Sequence, residues 1–296
     1  MRSVTARRRR RLALTALVLT GIGLGCSDQS AIGPGAVVTV RIVPDTIRLV
    51  LGKVDTARAF PLDQAGGYVV DKRVTWASDD PLVAMVDSAG LVTGMAVGMT
   101  QITASAGGIQ GSAPVMVSPA PLIGLGADSL RLTSIAQSGG TPSGTISISN
   151  AGGSTLDGLS LGTISYSGTA TGWITASLDQ ATAPATLTVD ASTGGLALGT
   201  YSATIPIQAP SAPNSPQNVT VVLTLTPGAA TTMAISAGDN QTAQANATVA
   251  VPPAVLITDQ YGNPVPGMTV NFVVATGGGS VTGGAAVSGT NGVAAV

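Results

Sequence analysis

From Val38 onward apolar and polar residues alternate, a period that on a pleated strand sends every second side chain to one face. Val38, Val40 and Ile42 alternate with Thr39, Arg41 and Val43, and Ile47, Leu49 and Leu51 with Arg48 and Val50. The same period recurs at Ile146 and Ile148, at Leu187 and Val189, at Tyr201, Ala203, Ile205 and Ile207, and at Val219, Val221, Leu223 and Leu225. Ser and Thr fill most intervening positions. Turn formers such as Ser149-Asn150-Ala151-Gly152-Gly153 and Gly262-Asn263-Pro264 separate the segments. The pattern predicts an all-β chain of short strands, each with one apolar face, as β-sandwiches require. At 296 residues the chain suits two or three such units rather than one.

Composition sharpens this picture chiefly by what it lacks. Gly (39) and Pro (18) are frequent and charged residues make up only 9%, which suits strands joined by tight turns. The chain contains no His and no Glu, so all 14 acidic residues are Asp. General acid–base chemistry near neutral pH and zinc ligation draw mainly on the missing types, and neither a cofactor nor a metal site is expected. Asp79 and Asp80 before Pro81 are expected to form a turn. A serine nucleophile would need Lys as base; only Lys53 and Lys72 exist, and neither sits in a Ser-x-x-Lys pattern. Asp87-Ser88-Ala89-Gly90 reads as a hairpin turn. The chain is therefore not expected to be an enzyme. Six of its 13 basic residues fall at Arg2 and Arg7 to Arg11, and none follows Arg131, so the clustered cations that nucleic-acid binding needs are missing.

The N-terminus follows its own pattern. The run Arg7 to Arg11 precedes 13 apolar-rich residues, Leu12 to Leu24, too few to span a bilayer and typical of a signal peptide over residues 1–25. Gly23-Leu24-Gly25-Cys26 then resembles the lipobox of bacterial lipoproteins, with Gly23 standing where that motif usually carries Leu. The resemblance implies that Cys26, the sole cysteine, carries lipid and becomes the mature N-terminus. Residues 26–36, small and polar, would form a flexible tether.

Three stretches resemble known sandwich families. In residues 37–119, Val74-Thr75-Trp76-Ala77-Ser78-Asp79-Asp80-Pro81, Val83-Ala84-Met85-Val86-Asp87, Gly90-Leu91-Val92-Thr93-Gly94 and Thr100-Gln101-Ile102-Thr103-Ala104 resemble the group 2 bacterial immunoglobulin-like domain. Trp76 is then expected to be the core tryptophan between two sheets. In residues 122–227, Thr145 to Asn150, Gly172-Trp173-Ile174, Leu198-Gly199-Thr200-Tyr201 and Asn214-Ser215-Pro216-Gln217 resemble the BACON-type immunoglobulin-like domain, which is associated with carbohydrate recognition. Tyr201 shares a strand face with Ile205 and is expected in the core. Trp173 has two readings, a core ring or, with Tyr166, a platform on which a sugar stacks; the first is favoured. In residues 228–296, Thr258-Asp259-Gln260-Tyr261-Gly262-Asn263-Pro264-Val265-Pro266-Gly267 through Phe272 resembles the group 1 bacterial immunoglobulin-like domain of invasin and intimin stalks. Gly262-Asn263 tolerates positive φ in the turn, and Val270, Phe272 and Val274 are expected to share one face. That family continues past Asn291-Gly292-Val293-Ala294 to at least one further strand, so the chain is expected to be part of a longer protein.

The expected whole is a string of immunoglobulin-like sandwiches exported and lipid-anchored to the cell membrane or outer membrane, facing the periplasm or the exterior. It would serve as a cell-surface stalk or adhesion protein. Two alternatives stand beside it: carbohydrate binding through the middle module, and an accessory region of a larger enzyme. The expected partners are the membrane, through the lipid, and an extracellular glycan or protein.

Overall fold

The computed structural model describes residues 35–296, and within them it is built of strands and turns. The predicted leader and Cys26 lie outside the described residues.

The first sandwich contains β1 (Thr39–Val43), β2 (Ile47–Val50), β3 (Val54–Thr56), β4 (Arg58–Leu62), β5 (Thr75–Ser78), β6 (Ala84–Val86), β7 (Leu91–Gly94), β8 (Gly98–Ala106) and β9 (Ile109–Ser118). Its principal sheet runs β2-β9-β8-β5; β3-β7-β6 and β1-β4 supply the rest. A bend over residues 44–46 divides the N-terminal strand between sheets. β1 pairs antiparallel with β4, whereas β2 runs parallel to β9, with Ile47 opposite Val115. The predicted alternation is realised in Val40, Ile42, Ile47 and Leu49, all buried. Leu51 departs from it. β2 ends at Val50, the chain turns at Gly52 with φ +77°, and Leu51 is left exposed.

The expected place of Trp76 also needs correction. The centre of this core is filled by Ile47, Val92, Ile102, Val115 and Val117. Trp76 sits on the edge strand β5, half-buried, and packs against the core from its rim. Its ring lies over Gly90, where a Cβ would fall 3.1 Å from the indole and 2.3 Å from the Ala57 carbonyl oxygen. Gly90 also has φ +86°, so both conformation and space demand glycine there.

The second sandwich repeats the construction. It comprises β10 (Ile123–Leu125), β11 (Ser129–Ile135), β12 (Ser143–Asn150), β13 (Ser160–Leu161), β14 (Ser165–Ser167), β15 (Ile174–Leu178), β16 (Ala185–Ala191), β17 (Gly199–Gln208) and β18 (Gln217–Thr226). Sheet β10-β12-β16-β15 faces sheet β11-β18-β17-β13, with β14 also on β17. Again the first strand is shared: β10 pairs antiparallel with β12, and β11 runs parallel to β18. Ile148, Leu156, Leu187, Ile205, Ile207 and Leu223 are fully buried between the sheets. Each contributes about 1.5–3 kcal/mol by leaving water.

The third unit has β19 (Ala230–Ala237), β20 (Ala254–Asp259), β21 (Thr269–Asn271), β22 (Ala285–Val287) and β23 (Val293–Ala295), in sheets β19-β20-β23 and β21-β22. Its buried apolar residues are few: Ala254, Ile257, Val265 and Ala294. Met233 and Ile235 on β19 are 63% and 67% exposed. The expected apolar face of Val270, Phe272 and Val274 is not formed: β21 stops at Asn271, and Val274 is exposed in the following loop. The ribbon β21-β22 is only three residues long on each side, too small to bury an opposing face.

Candidate functional site

Of the two rings singled out for ligand stacking, Trp173 is placed in the core of the second sandwich and Tyr166, half-buried, packs against it. Trp173 is only 4% exposed, with Tyr166 and Tyr201 packed against it at centroid distances of 5.9 and 6.1 Å. These tilted, edge-on arrangements are those that aromatic quadrupoles favour. Tyr201 donates its hydroxyl to Ala197 O at 3.0 Å. The Trp173 ring faces are thus covered by protein, so a sugar has no access to them, and the stacking reading of Trp173 with Tyr166 is corrected to a packing role. Trp173 Nε1 is buried without a hydrogen-bond partner among the described residues.

A different aromatic group does reach the surface, on the first sandwich. Phe60 on β4 and Tyr68 on the following hairpin meet edge-on, with centroids 5.9 Å apart. Together with Trp76, Val74, Arg58 and Ser88 they line a shallow cleft of about 360 Å³. Tyr68 is 56% exposed. Local hydrogen bonding builds the hairpin: Asp63 Oδ1 accepts from the backbone N–H groups of Ala65 and Gly67 at 3.0 and 2.7 Å, and Val69 N–H donates to Pro61 O. Neither Phe60 nor Tyr68 stood out in the sequence reading. The available signal was clustering: three of the chain's eight aromatic residues fall between positions 60 and 76.

The third arrangement is a buried polar knot where the third unit meets the second. Asp259, 2% exposed, accepts from Gly228 N–H at 2.7 Å and from Tyr261 N–H, Asn263 N–H and Asn263 Nδ2, each at 2.9 Å. Asn263 Nδ2 also donates across the junction to Ala136 O at 2.9 Å, and Asn263 Oδ1 accepts from Gln137 Nε2 at 3.3 Å. Gln137 takes φ +58° to present its amide there. Burial alone would raise the Asp259 pKa; hydrogen bonds from the Asn263 side chain, then from the backbone of Gly228, Asn263 and Tyr261, outweigh it and hold the carboxyl below its ordinary value. Within the Gly262-Asn263 turn, Gly262 takes positive φ, at +81°, and Asn263 contributes its side-chain amide.

Residues 63–117 match the bacterial Ig-like domain (group 2). The matched segment includes Tyr68 and Trp76 and begins just after Phe60. Nothing among curated proteins matches the chain. Among solved structures it is similar to domains 4 and 5 of the S-layer protein SbsC, at 18% identity and TM-score 0.33, covering 64% of this chain and 98% of that one. InvD of Yersinia pseudotuberculosis is similar at 15% identity and TM-score 0.31, over 78% and 73% of the two chains. The protocadherin GammaB4 extracellular domain is similar at 12% identity and TM-score 0.32, over 64% of this chain and about a third (34%) of that one. The chain is a tandem of immunoglobulin-like β-sandwiches.

In the Ig-like tandem the linker between the first and second sandwiches is held to the second. After Ser118, the last residue of β9, Pro119 to Pro121 lie along the Gly152–Ser154 turn of the second sandwich. Gly153 N–H donates to Ala120 O at 3.1 Å and Ser154 Oγ to Pro119 O at 3.0 Å. A Cβ on Gly153 would come within 2.8 Å of the Pro119 ring, so the strap fits only against glycine. Elsewhere the Asp side chains serve turns: Asp87 Oδ1 accepts from Ala89 and Leu91 N–H, and Asp80 Oδ1 from Leu82 N–H. A larger cavity of about 770 Å³, between residues 246–253 and 278–282, is lined by no titratable side chain. Among the described residues no three metal-ligating side chains cluster.

Proposed function

We propose that this chain is a non-catalytic surface stalk: an exported protein held to a membrane by lipid on Cys26, whose Ig-like sandwiches carry an adhesive or other element away from the anchor. The middle and third sandwiches are read as BACON-type and group 1 domains on the motifs quoted above. The observation that carries the stalk reading is the pinning of the first linker to the second sandwich together with the hydrogen-bonded junction of the second and third units. A Gly/Ser-rich linker lets modules tumble, whereas here the short Pro119–Pro121 linker is pinned along the second sandwich and a buried hydrogen bond of the Asp259–Asn263 knot holds the third unit to the second. Rigid spacing is what a stalk needs.

Two measurements test this. Small-angle X-ray scattering on the full chain carrying Cys26→Ser is expected to show an extended particle: longest strands of ten, ten and eight residues in the three units, about 33, 33 and 27 Å, give a maximum dimension of roughly 90 Å. A radius of gyration near the ~19 Å of a compact globule this size would overturn the reading. Metabolic labelling with a radioactive fatty acid is expected to mark the wild-type protein in the membrane fraction and to fail with Cys26→Ser. Persistent label on that variant would remove the anchor from the proposal.

A further inference from the structure

The Phe60–Tyr68–Trp76 cleft is not accounted for by a stalk, and it stands or falls independently of that reading. Tyr68 packs edge-on against Phe60 yet stays 56% exposed, so that with Trp76 the rings form an apolar wall open to solvent. The cavity of about 360 Å³ lies at the small end of ligand sites, which combine apolar walls with a few placed polar groups. Here the polar groups are Arg58 and Ser88.

Charge narrows the ligand. The first sandwich carries six of the seven cations outside the N-terminal run but also seven Asp, so the selection is local: the cleft lining contains Arg58 and no carboxylate. Lys72 and Arg73 are exposed on the segment that leads from Tyr68 to Val74, with Asp71 beside them. The neighbouring Asp63 and Asp87 each commit Oδ1 to two backbone N–H groups. The outer edge of β4 is occupied from Pro61 onward, where Val69 N–H donates to Pro61 O and Asp63 N–H to Gly67 O, which leaves three residues, Arg58 to Phe60, too short a stretch for a peptide to add as a strand. A pyranose ring has an apolar C–H face that fits an aromatic platform, and a guanidinium binds carboxylate or sulfate through two parallel hydrogen bonds.

We infer that the Phe60–Tyr68–Trp76–Arg58 cleft of the first sandwich binds an acidic sugar unit of a polysaccharide, its ring stacked on the aromatics and its anionic group on Arg58.

The test measures binding of the full chain by affinity electrophoresis in gels containing polygalacturonate, dextran sulfate, methyl-esterified polygalacturonate or dextran. The first two separate carboxylate from sulfate as the preferred anion; the last two are their neutral counterparts. Binding to at least one acidic polymer is expected to exceed that to its neutral counterpart about tenfold and to weaken with added salt. Tyr68→Ala and Arg58→Gln should each reduce it about tenfold, with Tyr68→Phe restoring the first. Tyr68 is largely exposed, so an unchanged melting temperature will certify the fold. Equal retention by neutral polymers, no retention at all, undiminished binding by Tyr68→Ala, or binding only to a proline-rich peptide included as a control would each overturn the inference.

Discussion

Asp259→Ala is expected to cost the third Ig-like unit roughly 2–4 kcal/mol and to free its junction with the second. The carboxylate serves four donors, and its removal strands the N–H groups of Gly228, Tyr261 and Asn263 and one Asn263 amide hydrogen. Each buried donor left without a partner costs about 1–3 kcal/mol, and water admitted to the site recovers part of the sum. In a unit whose buried apolar residues are largely Ala254, Ile257, Val265 and Ala294, a loss of this size lowers the midpoint of its thermal transition by more than about 10 °C. Differential scanning calorimetry reads it directly, and an unshifted C-terminal transition would sink the prediction. Asp259→Asn keeps the shape but turns an N–H₂ toward groups that themselves donate, so it falls between wild type and Ala. A pH series separates charge from shape. The folded pKa of Asp259 lies below its unfolded value of about 3.9, so the carboxylate's contribution is complete above that value and is lost as pH falls through the folded pKa. Wild type should therefore lose C-terminal stability in acid more steeply than Asp259→Asn; parallel acid profiles would contradict the role assigned to the carboxylate.

The same knot shows where sequence reasoning reached and where it stopped. Alternation placed Val40, Ile42, Ile146, Ile205 and Leu223 in cores because strand pleating has a strict period of two that needs only local information. It misplaced Leu51, where a turn ended the strand, and Val274, where pairing of the short β21 had already stopped at Asn271. Gly262-Asn263 was legible as a turn. That Asn263 reaches Ala136, 127 positions earlier, was not, since the contact exists only once two modules are set together. The absence of Glu, read in the sequence as missing catalytic equipment, gains a structural sense: Asp63, Asp80, Asp87 and Asp259 all accept from backbone N–H groups two to four residues ahead, a reach that suits the shorter side chain. The cleft was missed because Phe60, Tyr68 and Trp76 sit on three separate segments, and only the folded hairpin brings them together.

Trp173 tests whether the burial of an aromatic residue in the middle sandwich is structural or vestigial of a ligand site. Trp173→Ala is expected to destabilise that sandwich by about 3–5 kcal/mol, the cost of emptying a large ring's place in a core that cannot collapse onto it. Tyr166 and Tyr201 would both lose their edge-on partner. Trp173→Phe should cost far less, within about 1.5 kcal/mol, because the smaller cavity it leaves is offset by removing Nε1, a buried donor with no acceptor among the described residues. Urea titration followed by far-UV circular dichroism measures both variants; equal destabilisation by Ala and Phe would mean that Nε1 has a partner after all, and no effect from Ala would mean that the ring is not a core element. The pair also guards the polysaccharide experiment against a false positive. A glycan-binding loss caused by Trp173→Ala but absent from Trp173→Phe reports an unfolded middle sandwich, whereas a loss caused by Tyr68→Ala, at a ring that already faces water, reports the ligand's own contact. Stability and binding thus map to different sandwiches and can be measured separately.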